Sequence, residues 1–393
     1  RDVAFSVERM KKDRRSLQGS DIADVEVETP DDHTVFLITK EPNGVLLDRL
    51  DTRFITSKVA ADKYGDQLDN YPIGTGPYKF MSWQRGGNLV LTRNDDYWRP
   101  KSEIKEAVLR GVKEEAARVA GLLSGQADVI SNVPIEEIER LSKHARTRIE
   151  KVPGFRMYFL AMNVTFKPFD NKLVRQAVNF AIDPSVMMKH VYDGNGSVLD
   201  GPVSSNMIGY DSRMKRHPYD PKKAMELLAK AGYPNGFEVK LHFAPDRHLK
   251  GKEVCQVIAD QLSKVQIKVE LAAHEYAVYW GRDGVNGGKL PFYYAGRTAS
   301  DADTLYDQYF RTGVTKRIGY SNPEFDKLIE EEQATGDQTK RIAILQKAGR
   351  ILMEDVPFVP VYTLAEIYGL TRNILWRGTP DNKILAAEMK IKI

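Results

Sequence analysis

The sequence contains very little cysteine and no long apolar run. Its 393 residues include a single cysteine, Cys255, which excludes an intrachain disulfide and a thiolate metal cluster. Cys255 lies in an amphipathic stretch that predicts a helix, and we expect it to serve there as a small buried hydrophobic residue. No apolar stretch approaches the roughly 18 residues that a membrane-spanning helix needs, which argues against such a helix.

An excess of charge of one sign is also missing. The chain has 58 basic and 54 acidic side chains, a net charge of +4. Proteins dedicated to nucleic acids usually concentrate more positive charge on one face, so no nucleic-acid partner is predicted. The one clearly basic run, residues 11–15, is interrupted by Asp13 and is interpreted as a solvated helix end. The overall composition is typical of a soluble globular protein with two or three domains.

Recognisable catalytic and metal-binding motifs are absent as well. No serine stands in a Gly-x-Ser-x-Gly elbow, and the glycine-rich segments 194–196 and 284–288 lack the Lys-Ser/Thr pair of a phosphate loop. No two histidines occur at a ligand spacing with an acidic partner, apart from the loose pair His242 and His248. The sequence therefore predicts no enzyme, no cofactor and no metal site.

What the sequence does contain is a series of strand and helix signals. In the N-terminal part, alternating apolar residues predict strands near 25–27 and 34–38, joined by a turn at 30–32. Two further strands are predicted at 78–80 and 89–93. The first part of the chain is therefore expected to mix helix with short antiparallel strands.

From about residue 155 the chain alternates strands with capped helices. Predicted strands at 238–243 and 265–271 flank a predicted helix at 253–262, which implies parallel pairing with a right-handed crossover. Another strand is predicted at 290–295. Three helix starts combine a capping side chain with a proline at the first helical position: Asp183-Pro184, Asp220-Pro221 and Asn322-Pro323.

Nine aromatic residues fall between positions 276 and 310. Such a cluster can form part of a hydrophobic core, but it can also line a ligand site. The first is the more common role of such clusters, but the predicted strand end at 292–297 supports the second, because ligands of open α/β sheets bind at strand carboxyl ends. Aromatic walls combined with one or two charges hold small polar solutes in clefts. On physical grounds this stretch is the best candidate for a binding site.

Several segments, in collinear order along nearly the whole chain, resemble a known family. They include residues 72–80, 94–98, 159–163, 219–221 and 322–326. The chain is similar in these segments to the extracytoplasmic solute-binding proteins of the peptide/nickel class of ABC importers. This class contains dipeptide- and oligopeptide-binding proteins and is also known as family 5.

The resemblance implies an α/β fold of the periplasmic-binding-protein type, with two lobes, an extra subdomain and a hinge. Family members carry a segment before the position of Asp2, so an N-terminal segment is expected to be missing from this chain. The expected divisions are an extra subdomain at 1–70, lobe one at 71–160, lobe two at 164–370, a return to lobe one at 371–393, and hinge strands at 156–163 and 361–370.

The function implied by the resemblance is that of a non-enzymatic, periplasmic and monomeric receptor. It would capture a peptide-like or anionic solute in the cleft between the lobes and deliver it to an inner-membrane ABC permease. Two alternatives stay open at this point. One is a two-domain α/β enzyme, a hydrolase or a transferase. The other is an accessory chaperone or sensor built on the same fold.

The residues suggest an unusual ligand. By register, the family's tryptophan position falls on Ala295 and its amine-binding aspartate on Thr298, so ordinary dipeptide recognition is not expected. The neighbouring Arg297 instead suggests a carboxylate, phosphate or sulfonate, because arginine offers a bidentate fork. Candidate ligands are an oligopeptide, a modified peptide, an opine-like conjugate and a metal chelate.

Arg53 and Asp301 each carry a functional and a structural interpretation. Arg53 resembles a position where nickel-chelate binders hold an anion, but it can also pair with Asp48 or Asp51 at the surface. Asp301 can hold a cationic ligand group or cap the helix that follows it. The predicted ligand contacts are Arg53, Asn163, Tyr293, Tyr294, Arg297 and Asp301.

Overall fold

The computed structural model describes residues 1–12, 22–51 and 53–392. The chain divides into two compact units. Unit 1 contains residues 1–152 and 366–393, and unit 2 contains residues 153–365.

The helices and strands follow one another along both units. The helices are α1 (Asp2–Lys12), α2 (Leu46–Leu50), α3 (Lys58–Tyr64), α4 (Glu115–Ser124), α5 (Ile138–Lys143), α6 (Lys172–Ala181), α7 (Pro184–His190), α8 (Pro221–Lys230), α9 (Gly251–Ser263), α10 (Tyr276–Trp280), α11 (Ala302–Phe310), α12 (Pro323–Gln333) and α13 (Gln338–Asp355). The strands are β1 (Glu26–Glu28), β2 (Phe36–Ile38), β3 (Tyr78–Trp83), β4 (Asn88–Arg93), β5 (Glu106–Arg110), β6 (Val129–Ile130), β7 (Thr147–Met162), β8 (Gly196–Val198), β9 (Phe237–Phe243), β10 (Ile267–Ala273), β11 (Phe292–Thr298), β12 (Phe358–Thr371), β13 (Ile374–Leu375) and β14 (Lys390–Ile391).

The boundaries between the units lie inside strands rather than loops. One falls within β7, after Val152, and the other within β12, after Ala365. The predicted hinge strands 156–163 and 361–370 lie almost entirely in these two long strands. The division of residues 1–70 into a separate subdomain stays a prediction.

Unit 1 is built from small antiparallel sheets. Strands β1 and β2 pair as the sequence predicts, and Asp31 closes their turn by accepting backbone hydrogen bonds from His33 and Thr34, both at 2.7 Å. Strands β3, β4 and β5 form an antiparallel sheet, and β13 pairs with β14. The basic run predicted at 11–15 begins at the end of α1, but Asp13, Arg14 and Arg15 lie outside the described residues.

Unit 2 contains a mixed sheet in the order β10-β9-β11-β7-β12, with β8 paired to β12. Strands β9 and β10 are parallel, and α9 connects them, which confirms the predicted strand–helix–strand unit. Helix α9 buries Val254, Ile258 and Leu262, a four-residue spacing that places one apolar stripe against the sheet. Cys255 is fully buried in the same helix, as predicted.

The predicted helix starts are confirmed by their caps. The side chains of Asp183, Asp220 and Asn322 accept hydrogen bonds from backbone amides in the first turns of α7, α8 and α12. Helix α8 is followed by Gly232, which has a φ of +90°. Within the described part of the chain, we find no helix that is both long and apolar enough to cross a membrane.

The turn that leads into β9 depends on a glycine. Gly236 has a φ of +69°, and a Cβ added there would lie 1.8 Å from the carbonyl oxygen of Gln266. A side chain would therefore force β9 away from the residues that precede β10.

We expect Gly236→Ala to lower the free energy of unfolding by more than about 2 kcal/mol, since a backbone clash adds to the cost of the left-handed conformation. Gly232→Ala is the matched control, because its φ is also positive and nothing lies within 4 Å of the added Cβ. Urea unfolding measures both values. Equal losses in the two variants would contradict the role of the close approach.

Candidate functional site

Parallel strands β9, β10 and β11 of unit 2 end at the same side of their sheet. The segments that follow them are 244–250, 274–275 and 299–301. We call these strand ends and segments the carboxyl edge. In open α/β sheets this is where ligands bind, because the connecting segments diverge there and leave room for a solute.

The predicted contacts on β11 point to opposite faces of the sheet. Arg297 lies opposite Met157 in the antiparallel register with β7, whereas Tyr294 lies opposite Leu160. Since neighbouring residues of a strand alternate in direction, Tyr293 shares the face of Arg297, and Tyr294 lies on the other. The single aromatic cluster predicted from the sequence is therefore divided by the sheet.

On the Arg297 face, most of the aromatic residues form core. The core interpretation is confirmed for five of them, which belong to one hydrophobic core cluster of unit 2: Tyr279, Tyr293, Tyr306, Tyr309 and Phe310. The Tyr293 hydroxyl donates a 3.3 Å hydrogen bond to the carbonyl oxygen of Arg317.

Arg297 itself is half-buried at the rim of this core. Burial raises the pKa of Tyr309, and the nearby guanidinium groups of Arg317 and Arg297 oppose that rise. The Arg317 guanidinium lies 4.8 Å from the centroid of the Tyr309 ring and 5.8 Å from that of Trp280. Two arginines thus bring positive charge to this side of the carboxyl edge.

On the other face, segment 244–250 places a histidine in an aromatic surrounding. His248 is only 6% exposed, and its ring meets those of Tyr158 and Tyr294 edge-on, with centroid distances of 5.1 and 5.6 Å. Gly296 allows this approach, because a Cβ there would lie 3.0 Å from the His248 Cε1 atom. Neither ring nitrogen of His248 has a hydrogen-bond partner among the residues that the structure describes.

The charges around His248 are positive. The pKa of His248 is lowered to about 3, mainly by burial and in smaller part by the positive charges of Arg156 and Arg247. The imidazole is therefore neutral at neutral pH and offers one N–H donor and one acceptor. Arg247 is exposed and lies over the ring of Tyr276, 5.2 Å from its centroid. A buried donor flanked by two arginines is suited to an anionic group with hydrogen-bonding oxygens.

Asp301 occupies a structural position. Both of its carboxylate oxygens accept hydrogen bonds from the guanidinium of Arg341, at 2.6 and 3.0 Å, and one also accepts from the backbone amide of Asp303. The alternative prediction, that Asp301 caps the following helix α11, is confirmed. With 1% of its surface exposed, the carboxylate is sequestered from a solute at the edge.

The same arginine faces a second buried acid. The Arg341 Nε atom lies 2.8 Å from an oxygen of Glu332, which is fully buried. The pKa of Glu332 is raised to about 10, mainly by burial and in smaller part by the adjacent Asp303, while the Arg341 guanidinium opposes the rise. One guanidinium therefore contacts two buried acidic side chains, and the pKa of one of them, Glu332, is raised.

Asn163 is also engaged within unit 2. Its amide donates to the carbonyl oxygen of Gly288 at 3.2 Å, and its oxygen accepts from the hydroxyl of Thr165 at 2.7 Å. These bonds tie the end of β7 to the segment before β11, which favours a structural role. Arg53 belongs to unit 1, where it is half-buried after α2 and its backbone amide donates to the carbonyl oxygen of Leu50 at 2.9 Å. For both residues, ligand contact stays a prediction.

The histidine pairing differs from the loose pair suggested by the sequence. His242 bonds to His274 instead, with 2.8 Å between Nδ1 of the first and Nε2 of the second, and not to His248. This pairing depends on the register of β9 against β10, which no local pattern reveals. Among the described residues, no group of three or more His, Cys, Asp or Glu side chains is arranged to hold a metal ion.

Comparison with known proteins gives the class. The family described as bacterial extracellular solute-binding proteins, family 5, middle part, matches residues 1–317. The glutathione-binding protein GsiB of Pectobacterium atrosepticum is 30% identical over 347 residues, covering 84% of this chain and 67% of that protein.

Two solved structures share the fold over all of this chain. The periplasmic binding protein DppA of Helicobacter pylori, in complex with the peptide STSA, is 26% identical with a TM-score of 0.86, and 81% of its chain is covered. AgaA of A. tumefaciens R10, in complex with agropinic acid, is 26% identical with a TM-score of 0.85, and 83% of its chain is covered.

The fold is thus the α/β fold of periplasmic binding proteins, and the class is that of solute-binding receptors of ABC importers. This chain belongs to family 5 of the bacterial extracellular solute-binding proteins. The family expected from the sequence is confirmed. Its named relatives are binding proteins and not enzymes.

The raised pKa of Glu332 predicts a pH dependence of stability. The folded state keeps a proton that the unfolded carboxyl releases above its usual pKa of about 4.3, so stability falls as pH rises from about 5 towards 10. Glu332→Gln removes this titration. Between about pH 6 and about pH 9, the free energy of unfolding should fall in both proteins. We expect the loss in Glu332→Gln to be smaller than the loss in the wild type by at least about 1 kcal/mol.

Urea unfolding at the two pH values measures this difference. Glu331→Gln, an exposed position on the same helix, is the control and should keep the wild-type slope. Parallel slopes for Glu332→Gln and the wild type would show that Glu332 ionises normally in the folded state.

Proposed function

We propose that this receptor binds a small peptide-like solute through a carboxylate, at the carboxyl edge of unit 2. The observation that carries the proposal is His248, a buried imidazole whose nitrogens find no partner in the described chain although two arginines lie close by. A buried polar group without a partner costs about 1–3 kcal/mol, so its retention at a strand carboxyl end points to a ligand that supplies the missing bond.

The proposed contacts are grouped around the edge. Arg156, Arg247 and His248 form what we call the anion subsite, and Arg297 adds positive charge on the opposite face of β11. Exposed Tyr276 offers an aromatic surface beneath Arg247. Asn163, Tyr293 and Asp301 are left out, because their polar groups are already bonded within unit 2.

The relatives support this choice of ligand. Glutathione, a peptide and agropinic acid, the solutes named for three similar proteins, all carry carboxylates. We propose that this chain likewise acts in the periplasm as a monomer, delivers its solute to an inner-membrane ABC permease, and catalyses no reaction. Isothermal titration of the purified protein with glutathione, a tetrapeptide and agropinic acid is the direct test, and no binding by any of them would reject the ligand class.

Arg297→Ala is expected to weaken binding of the best solute in that panel at least about tenfold, because a charge-assisted hydrogen bond is lost. Arg297→Lys keeps the charge without the bidentate fork and should give an intermediate value. The control is Arg213→Ala, which removes an exposed guanidinium bonded to Asp211. An unchanged dissociation constant for Arg297→Ala would remove this residue from the site.

His248→Phe separates binding from folding. The phenyl ring keeps the packing against Tyr158 and Tyr294 but has no polar atoms, so stability should be unchanged or higher. Affinity should fall about tenfold if the imidazole bonds the solute. His217→Phe is the control, since that half-buried ring packs on Phe180 with a centroid distance of 4.9 Å. Calorimetry and urea unfolding measure the two effects, and retained affinity in His248→Phe would contradict the anion subsite.

A further inference from the structure

Three buried tyrosine hydroxyls form a continuous chain of hydrogen bonds in unit 2. The Tyr192 hydroxyl donates to the carbonyl oxygen of Leu249 at 2.8 Å and lies 2.8 Å from the hydroxyl of Tyr362. The Tyr362 hydroxyl is bonded in turn to that of Tyr294. All three side chains are shielded from solvent, with at most 1% of their surface exposed.

The direction of this chain follows from counting protons. Each hydroxyl has one hydrogen, and the carbonyl oxygen of Leu249 can only accept. Tyr192 must therefore donate to Leu249, Tyr362 to Tyr192, and Tyr294 to Tyr362. Burial raises the pKa of each of the three tyrosines, so all of them keep their protons at neutral pH.

The chain of hydroxyls ends on the segment that carries the anion subsite. Leu249 directly follows His248 in segment 244–250, which has no regular secondary structure. Few other backbone bonds hold this segment in place: Arg247 donates to Ala244 at 3.3 Å, Gly251 to His248 at 3.0 Å and Val254 to Lys250 at 3.1 Å.

The other end of the chain is fixed to the sheet. Tyr294 lies in β11, two residues before Gly296, and packs against the ring of His248. Its carbonyl oxygen accepts a 2.6 Å hydrogen bond from Tyr279. Tyr362 lies in β12, opposite Val198 of β8. The hydroxyls therefore connect a segment without regular structure to strands β11 and β12 and to Tyr192, which lies two residues after the end of α7.

We propose that Tyr192 and Tyr362 are positioning residues for the anion subsite. They hold Leu249, and through it His248 and Arg247, in the geometry that receives a carboxylate. Both are buried and neither touches the solute. The ligand part of this inference rests on the proposed function, whereas the link between Tyr192 and segment 244–250 does not.

Tyr192→Phe tests the proposal, because it deletes the terminal donor without changing ring volume. The matched control is Tyr368→Phe in unit 1, where an equally buried hydroxyl donates at the same distance of 2.8 Å to the carbonyl oxygen of Thr379. Tyr362→Phe, which removes the middle link, is the second variant. Two quantities are measured for each protein: hydrogen–deuterium exchange of residues 245–251 without ligand, and the dissociation constant for glutathione.

We expect Tyr192→Phe and Tyr362→Phe to accelerate exchange in 245–251 and to weaken glutathione binding about tenfold. Tyr368→Phe should lower the free energy of unfolding by a similar amount as the other two variants. It should change neither the exchange of residues 245–251 nor the affinity for glutathione. Unchanged exchange in Tyr192→Phe would overturn the proposal, and so would faster exchange with wild-type affinity. If the wild type does not bind glutathione, the dissociation constant is measured with the tightest-binding solute of the panel instead. If it binds none of them, the ligand class in the proposed function fails, and the exchange data alone decide whether the hydroxyl chain holds the segment.

Discussion

The ion pair between Asp301 and Arg341 is the interaction on which the end of β11 depends. It joins the residue that starts α11 to the long helix α13, in an interior where both charges are almost completely removed from water. Removing one partner of such a pair leaves a buried charge at a cost of about 3–5 kcal/mol. The raised pKa of Glu332 beside this pair has the same cause, because a second buried acid on the same guanidinium is costly to ionise away from water.

The polar groups near the carboxyl edge differ in whether their hydrogen bonds are already made inside unit 2. Asp301 and Asn163, although close to the edge in sequence, have their hydrogen-bonding capacity used inside unit 2. His248 is equally shielded but has no such partner among the described residues. The bonds of Asp301 and Asn163 fix the neighbourhood of β11, and His248 beside it keeps one N–H donor for a solute. Such an arrangement is preorganised, because little conformational entropy is lost when the solute binds.

Local signals predicted much of the fold, while the site depended on contacts between distant segments. Asp183, Asp220 and Asn322 were identified as caps because capping is decided within a few residues. The parallel pairing of β9 with β10 followed from strand spacing and the intervening helix. His248 was not predicted, since its aromatic neighbours come from Tyr158 and Tyr294 on two other strands. The ion pair of Asp301 could not be predicted from local sequence either, because its partner Arg341 is 40 residues away in the chain.

Cys255 is the only cysteine in the sequence and it is buried, which has a practical consequence. Its thiol is fully buried in α9, and burial raises its pKa, so the nucleophilic thiolate is scarcely populated. Thiol-directed dyes should therefore leave the native receptor unlabelled. A cysteine introduced at an exposed position such as Asp246, in segment 244–250, would then carry a single fluorophore, and the receptor would become an optical reporter of its own solute.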